Sequence, residues 1–170
     1  HIVMSSGSRN LNLARLFEAE PYFKIYRVTD ERSAGFYALG IAARLGEPVV
    51  MCCTSGTATS NYLTSITEAY YQHIPLVVIT GDRYPRYLGQ DEEQTIPQAG
   101  MYGKVVKKCV SLPQDPTALG DWEARRMVCE ALLEVKHHGT GPVHINVPIA
   151  NIEFPKPPAS VLKLDKKYLC

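Results

Sequence analysis

The sequence lacks the features that mark several large classes of protein. No apolar run approaches the roughly 20 residues that a membrane-spanning helix needs. Neither sign of charge is in excess, because 18 Lys and Arg stand against 17 Asp and Glu, for a formal net charge of +1. Without a strong positive field, the composition does not favour nucleic acid or a membrane surface as a partner. There is no G-x-G-x-x-G, P-loop or G-x-S-x-G segment, which weakens the dinucleotide-binding, NTPase and α/β-hydrolase interpretations.

Cysteine is present but shows no ordered spacing. The five cysteines, at positions 52, 53, 109, 129 and 170, are an odd number and contain no C-x-x-C pair. This pattern argues against a zinc site or a disulfide framework. It favours reduced thiols, and with them a cytoplasmic protein that holds no metal through its own side chains.

Apolar, strand-like runs alternate with helical stretches along the chain. Strands are predicted at residues 2–4, 23–28, 48–53, 76–80, 105–112 and 143–147, and helices at 11–18, 31–45, 57–72 and 122–135. This alternation predicts an α/β fold, a three-layer α/β/α sandwich with a mainly parallel sheet of about five to six strands. One domain is expected over residues 1–150, and the prolines at 155, 157 and 158 predict a linker or tail over 151–170.

Polar segments follow four of the predicted strands. They are Ser5-Ser6-Gly7-Ser8-Arg9, Asp30-Glu31-Arg32, Thr54-Ser55-Gly56-Thr57-Ala58 and Gly81-Asp82-Arg83. Ligands of parallel sheets meet the loops at the carboxyl ends of the strands. The four segments together therefore predict a binding site along that edge of the sheet.

Each segment also has a simpler interpretation. Arg9 is suited to a two-point grip on a carboxylate, or to a solvated position beside a capped helix. Glu31 is equally typical of an acid that the helix dipole favours at a helix start. The hydroxyls after residue 53 suit either a ligand pocket or a helix cap. The irregular stretch from 81 to about 100 is long enough for a functional loop, or is an exposed connection.

In combination these segments resemble the N-terminal pyrimidine-binding (PYR) domain of thiamine diphosphate-dependent enzymes. Within that superfamily they are most similar to SEPHCHC synthase (MenD) of menaquinone biosynthesis. That family carries S-P-G-S-R, D-E-R-x-x-G-F, T-S-G-T-A, A-D-R-P and N-Q-x-I segments. Their counterparts here, in the same order, are residues 5–9, 30–36, 54–58, 81–85 and 93–96.

The resemblance implies a thiamine diphosphate-binding fold and a role for each matched residue. Glu31 is the implied catalytic acid, donating a hydrogen bond to N1′ of the cofactor's aminopyrimidine. The implied cofactor contacts are Glu31, Thr54, Ser55, Gly56 and Asn61, and the implied substrate contacts are Ser8, Arg9, Arg83 and Gln94. The implied activity is a transferase of the decarboxylase and carboligase kind, joining 2-oxoglutarate to isochorismate.

The sequence departs from the family pattern in the segments that would contact the acceptor substrate, isochorismate. Ser6 stands in place of a proline, Tyr84 and Arg86 replace a proline and a glutamate, and Glu93 replaces an asparagine. An added carboxylate disfavours a dianionic acceptor. A different acceptor is therefore an open alternative to isochorismate.

The diphosphate-binding part of the family's active site has no counterpart in the sequence. The family binds diphosphate and magnesium through a G-D-G…N-N motif on a second domain, and Gly120-Asp121 here lacks the asparagine pair. The resemblance therefore implies a partner domain, on the same or a separate polypeptide, and a homo-oligomer. Acetolactate synthase-like and phosphonopyruvate decarboxylase-like enzymes remain alternatives, although their helix start more typically reads H-E-x-x-A. A non-catalytic assembly or regulatory module remains open too.

Overall fold

A computed structural model describes residues 1–114 and 116–150, and the predicted linker or tail at 151–170 lies outside them. The described residues form one six-stranded sheet in which every strand pair is parallel. The strand order is β2-β1-β3-β4-β6-β5. The strands are β1 (Ile2–Met4), β2 (Ile25–Arg27), β3 (Val49–Cys53), β4 (Leu76–Asp82), β5 (Lys108–Ser111) and β6 (Val143–Pro148).

Helices cover both faces of the sheet, as expected for buried parallel strands. They are α1 (Leu11–Ala19), α2 (Glu31–Leu45), α3 (Thr57–Tyr71) and α4 (Ala118–Glu134), with a short 3-10 turn at Pro85–Tyr87. Successive strand residues point to opposite faces, so Val3 packs with the small residues of α2, whereas Ile2 and Met4 pack with α1. Helix α4 covers β5 and β6 on the face away from α2 and α3. The predicted three-layer α/β/α arrangement is thereby confirmed.

The bounds of α2 follow from local chemistry. The Asp30 carboxylate accepts a hydrogen bond from the Ser33 amide at 2.7 Å and caps the helix start. Gly46 ends the helix with φ +68°, a left-handed conformation that glycine adopts without steric cost. The predicted helix at 31–45 is therefore confirmed at both ends.

Two predicted elements begin three or four residues away from their expected starts. Helix α4 begins at Ala118 rather than 122, because the Thr117 hydroxyl caps it by accepting from the Gly120 amide. Strand β5 begins at Lys108 rather than 105. The Val105 amide is bonded within a turn, to the Tyr102 carbonyl, and Val106 packs into the core from outside the sheet.

Two general expectations can be compared with the described residues. Cys52, Cys53 and Cys109 are free thiols, as expected, whereas Cys129 is disulfide-bonded, so the expectation of reduced thiols is wrong at that residue. Across residues 1–114 and 116–150, no helix is both long and apolar enough to cross a membrane.

Candidate active site at the carboxyl edge of the sheet

The strands that precede the four polar segments are neighbours, in the order β2-β1-β3-β4. Their following loops therefore lie side by side and touch. The Ser5 hydroxyl donates to the Val28 carbonyl at 2.9 Å, and the Arg9 amide donates to the Thr54 hydroxyl at 3.1 Å. A Cβ on Gly81 would lie 2.8 Å from the Arg9 carbonyl oxygen, so the end of β4 requires a glycine there. One continuous surface is formed from segments that are far apart in sequence.

Glu31, the first residue of α2, is half-buried at this edge. Behind it lie the Cys53 thiol and the Tyr62 hydroxyl, both fully buried. Burial raises the pKa of each group well above its ordinary value, and the charge of Glu31 raises it further. Among the described residues, the Tyr62 hydroxyl makes no hydrogen bond of normal geometry. Glu31 therefore lies beside two buried groups that stay uncharged near neutral pH.

The turn between β3 and α3 is buried and tightly constrained. Thr54 and Ser55 are almost fully enclosed. The Gly56 amide donates to the Gln98 side chain at 2.7 Å, and its carbonyl accepts from both the amide and the hydroxyl of Thr59. The backbone polar groups of Gly56 are thus already engaged within the chain. Asn61, the remaining predicted cofactor contact, is exposed one turn further along α3.

The predicted substrate residues lie on two loops. Ser8 is exposed, but Arg9 is only 7% exposed, so a fully solvated Arg9 is excluded. Its Nη1 donates to the carbonyls of Ile149 (3.1 Å) and Ala150 (3.3 Å), which close over it from the end of β6. Burial lowers the pKa of Arg9, and the like charge of Arg83 lowers it further.

Arg83 and Gln94 belong to the segment from Arg83 to Gln98, here called the 83–98 loop. The Arg83 guanidinium donates through Nε to the Glu93 carbonyl at 2.9 Å and pairs with the Glu92 carboxylate at 3.2 Å. Gln94 is exposed and adopts φ +51°, an uncommon conformation for a residue other than glycine. Strained backbone of this kind is concentrated at binding sites.

A buried polar network beneath the site was missed by sequence reasoning. The Asn146 amide donates to the Asp82 carboxylate at 2.8 Å and accepts from the Thr80 hydroxyl at 2.9 Å. The Thr80 hydroxyl lies 2.8 Å from Nε2 of His144, which burial holds neutral by lowering its pKa to about 3. Burial raises the pKa of Asp82, although the hydrogen bonds that its carboxylate accepts from Asn146 and from the Arg83 amide lower it. The sequence pattern that could have revealed this network is the alternation of His144 and Asn146 with apolar residues in one strand.

The described residues contain no group of three or more His, Cys, Asp or Glu side chains arranged to hold a metal ion.

Comparison with known proteins identifies the class. Residues 1–101 match the family described as thiamine pyrophosphate enzyme, N-terminal TPP binding domain. The chain belongs to this family, which confirms the resemblance inferred from the sequence. A crystal structure of benzoylformate decarboxylase from Polynucleobacter necessarius superposes with a TM-score of 0.70 over 98% of this chain and 30% of that one. At 22% identity this similarity shows the shared fold alone.

Two relatives of higher sequence identity carry the name of the same enzyme. The chain is 50% identical over 153 residues to the 2-succinyl-5-enolpyruvyl-6-hydroxy-3-cyclohexene-1-carboxylate synthase of Bacteroides thetaiotaomicron, covering 90% of the chain and 28% of that protein. It is 42% identical over 157 residues to the synthase of the same name from Cytophaga hutchinsonii, covering 91% of the chain and 28% of that protein. The chain therefore spans only about 28% of the length of these relatives.

Proposed function

We propose that residues 1–150 are the pyrimidine-binding domain of a thiamine diphosphate-dependent 2-oxoacid decarboxylase and carboligase. The leading substrates are 2-oxoglutarate as donor and isochorismate as acceptor. The observation that carries this proposal is 50% identity, over 90% of the chain, to a synthase whose name describes the expected product. Because those relatives are much longer, we propose that a second domain completes the site by binding diphosphate and magnesium.

The residues of this chain would act on the pyrimidine end of the cofactor. Thiamine diphosphate, when bound, supplies the carbon nucleophile that protein side chains lack. Glu31 would hold a proton at N1′, a role that suits a half-buried carboxyl group facing buried Cys53 and Tyr62. The turn of Thr54, Ser55 and Gly56 would shape the pocket, and exposed Asn61 would reach the ring from α3.

The other half of the site would bind the acceptor. Arg9 and Arg83 lie close enough for the charge of one to lower the pKa of the other, and paired guanidinium groups suit an acceptor with more than one carboxylate. Ser8 and Gln94 are exposed on the same loops and supply polar contacts.

A different carboxylated acceptor is a second candidate, and the chemistry of the 83–98 loop favours it. Arg86 lies over the rings of Tyr84 (5.1 Å) and Tyr87 (5.9 Å) in cation–π contacts. Arg86 and Tyr84 both depart from the synthase pattern, so this positively charged stack distinguishes the loop.

The test is an assay of the chain assembled with its diphosphate-binding domain. We expect 2-oxoglutarate to be decarboxylated and a ligated product to form when isochorismate is added. Pyruvate, which lacks the distal carboxylate, is the control donor and should be used much more slowly. Decarboxylation at the same rate with no ligated product would show that the acceptor assignment is wrong.

We also propose a cytoplasmic homo-oligomer. The free thiols of Cys52, Cys53 and Cys109 fit a reducing compartment, whereas the disulfide-bonded Cys129 does not. Exposed apolar side chains on α2 and α3 support self-association.

A further inference from the structure

Gln98, at the end of the 83–98 loop, is a buried side chain in an otherwise exposed stretch. It is 1% exposed, whereas Pro97 and Ala99 on either side are exposed. A primary amide is costly to bury unless its polar atoms are hydrogen-bonded. Here Oε1 accepts from the Gly56 amide at 2.7 Å, and Nε2 donates to the Gly81 carbonyl at 3.1 Å and to Oδ1 of Asn146 at 3.2 Å. Both ends of the amide are therefore satisfied by protein groups.

These three partners belong to three different elements. Gly56 is in the turn between β3 and α3, Gly81 is in β4, and Asn146 is in β6. Asn146 also donates to the carboxylate of Asp82, the residue that precedes the loop. One side chain thus ties the end of the 83–98 loop to its own beginning and to the turn that faces the proposed cofactor.

The backbone of the loop rests directly on the same turn. A Cβ on Gly56 would lie 2.8 Å from Cα of Gln94 and 2.9 Å from its carbonyl carbon, which is closer than real atoms approach. Gly56 also has φ +76°, so both its conformation and its contact require glycine. The bond to Gln98 and the contact with Gln94 together set the distance between the loop and the start of α3.

We propose that Gln98 is a positioning residue for the acceptor half of the active site. It holds Arg83 and Gln94 at a fixed separation from the turn at Thr54–Gly56, without touching substrate itself. This inference rests on the proposed function, because the acceptor role of Arg83 and Gln94 is part of that proposal. Acceptor binding is the step that should suffer when Gln98 is changed, since small displacements of positioned groups have large effects on reaction.

Three variants separate this role from general stability. Gln98→Met keeps the length of the side chain and removes all three hydrogen bonds. Gln98→Glu keeps an acceptor for the Gly56 amide but loses the donors to Gly81 and Asn146. Gln90→Met is the matched control, because it makes the same chemical change at an exposed position in the same loop.

The first measurement is hydrogen exchange of the Gly56 amide in the assembled enzyme, without substrates. We expect its protection to fall by about tenfold or more in Gln98→Met, because the amide loses the side chain that accepts its hydrogen bond. Protection should stay within about threefold of the unaltered enzyme in Gln98→Glu and Gln90→Met. This readout does not depend on which substrates the enzyme uses.

The second measurement separates the two substrates. In Gln98→Met, the KM for isochorismate should rise by about tenfold or more, whereas 2-oxoglutarate decarboxylation without acceptor should change by less than about twofold. Should Gln98→Met fail to fold, Gln98→Leu, which is also uncharged and also lacks the three hydrogen bonds, carries this comparison. Gln90→Met should leave both values unchanged.

Three results would overturn the inference. They are full Gly56 protection in Gln98→Met, lost protection with an unchanged acceptor KM, and equal losses in the donor and acceptor steps. If the unaltered enzyme turns over neither substrate, the proposed function fails separately, and the Gly56 amide still decides whether Gln98 holds the loop.

Discussion

The Arg83 guanidinium and the Glu92 carboxylate form an ion pair of 3.2 Å within the 83–98 loop. Glu92 is therefore paired with the Arg83 guanidinium, the group that the proposed acceptor would bind. The charge of Glu92 also raises the pKa of Arg9, partly offsetting the effects of burial and of Arg83. Glu92 thus interacts with both arginines.

Removing the Glu92 carboxylate, which competes with the acceptor for Arg83, should strengthen acceptor binding. Because a partly exposed ion pair contributes about 0.2–1 kcal/mol, Glu92→Gln should lower the acceptor KM by up to about fivefold. Asp91→Asn is the control, since it removes one negative charge from an exposed side chain in the same loop. Steady-state kinetics at low salt would measure both variants. A higher KM in Glu92→Gln would mean that the pair orients Arg83 rather than competing for it.

Glu31→Gln should stop proton transfer and leave the fold intact. The amide keeps the size of the side chain at a half-buried helix start, so the free energy of unfolding should change by no more than about 1 kcal/mol. Activity of the assembled enzyme, and exchange of the cofactor's C2 proton followed by NMR, should both fall by about a hundredfold or more. Asp30→Asn is the control, because Asn also caps a helix well. An undiminished exchange rate in Glu31→Gln would leave Glu31 as an ordinary helix-start acid.

The isolated chain should bind thiamine diphosphate poorly, even with magnesium. Its sequence has no diphosphate-binding motif, and the pyrimidine contacts account for only part of the ligand. We expect a dissociation constant weaker than about 1 μM, the value that corresponds to about 8 kcal/mol of binding free energy. Titration calorimetry on the purified chain measures this directly. Binding at or below that constant would show that the chain alone forms a complete site.

The isolated chain should self-associate through α2 and α3. Phe36 and Leu63 expose more than 40% of their surface on these helices. Phe36→Lys should shift the chain toward monomer in sedimentation experiments at high concentration, because a charge would be placed in the apolar contact. Leu119→Lys on α4 makes a comparable change on the opposite layer and should have little effect. A monomer without any substitution would contradict this prediction.

Stability should fall with acidification because of His144. Its pKa is lowered from 6.5 to about 3 by burial, so between these values the unfolded chain binds a proton that the folded chain excludes. The stabilisation is complete above pH 6.5 and is lost as pH falls toward 3, with a slope of up to about 1.4 kcal/mol per pH unit. Asp82, whose pKa is raised, contributes a slope of opposite sign. Urea unfolding of His144→Gln from pH 7 to 4 should show a shallower dependence.

The sequence by itself determined the elements and their chemistry. Local signals are sufficient where the cause is local: Asp30 caps α2 three residues away from Ser33, and Gly46 ends it. Continuous apolar runs likewise predicted buried parallel strands and placed four polar segments at strand ends. Glu31 could be singled out only through its resemblance to a family, because its helix-start position has an equally good structural explanation.

The strand order, and with it the contacts of the site, was decided only by the tertiary structure. Arg9 is enclosed by the carbonyls of Ile149 and Ala150, about 140 residues away along the chain. Gln98 reaches Gly56 across 42 residues, and nothing in the polar stretch around it marks that side chain as buried. Hydrogen bonds of this kind depend on which strands become neighbours. That choice is made by packing of the whole sheet, and no local sequence pattern encodes it.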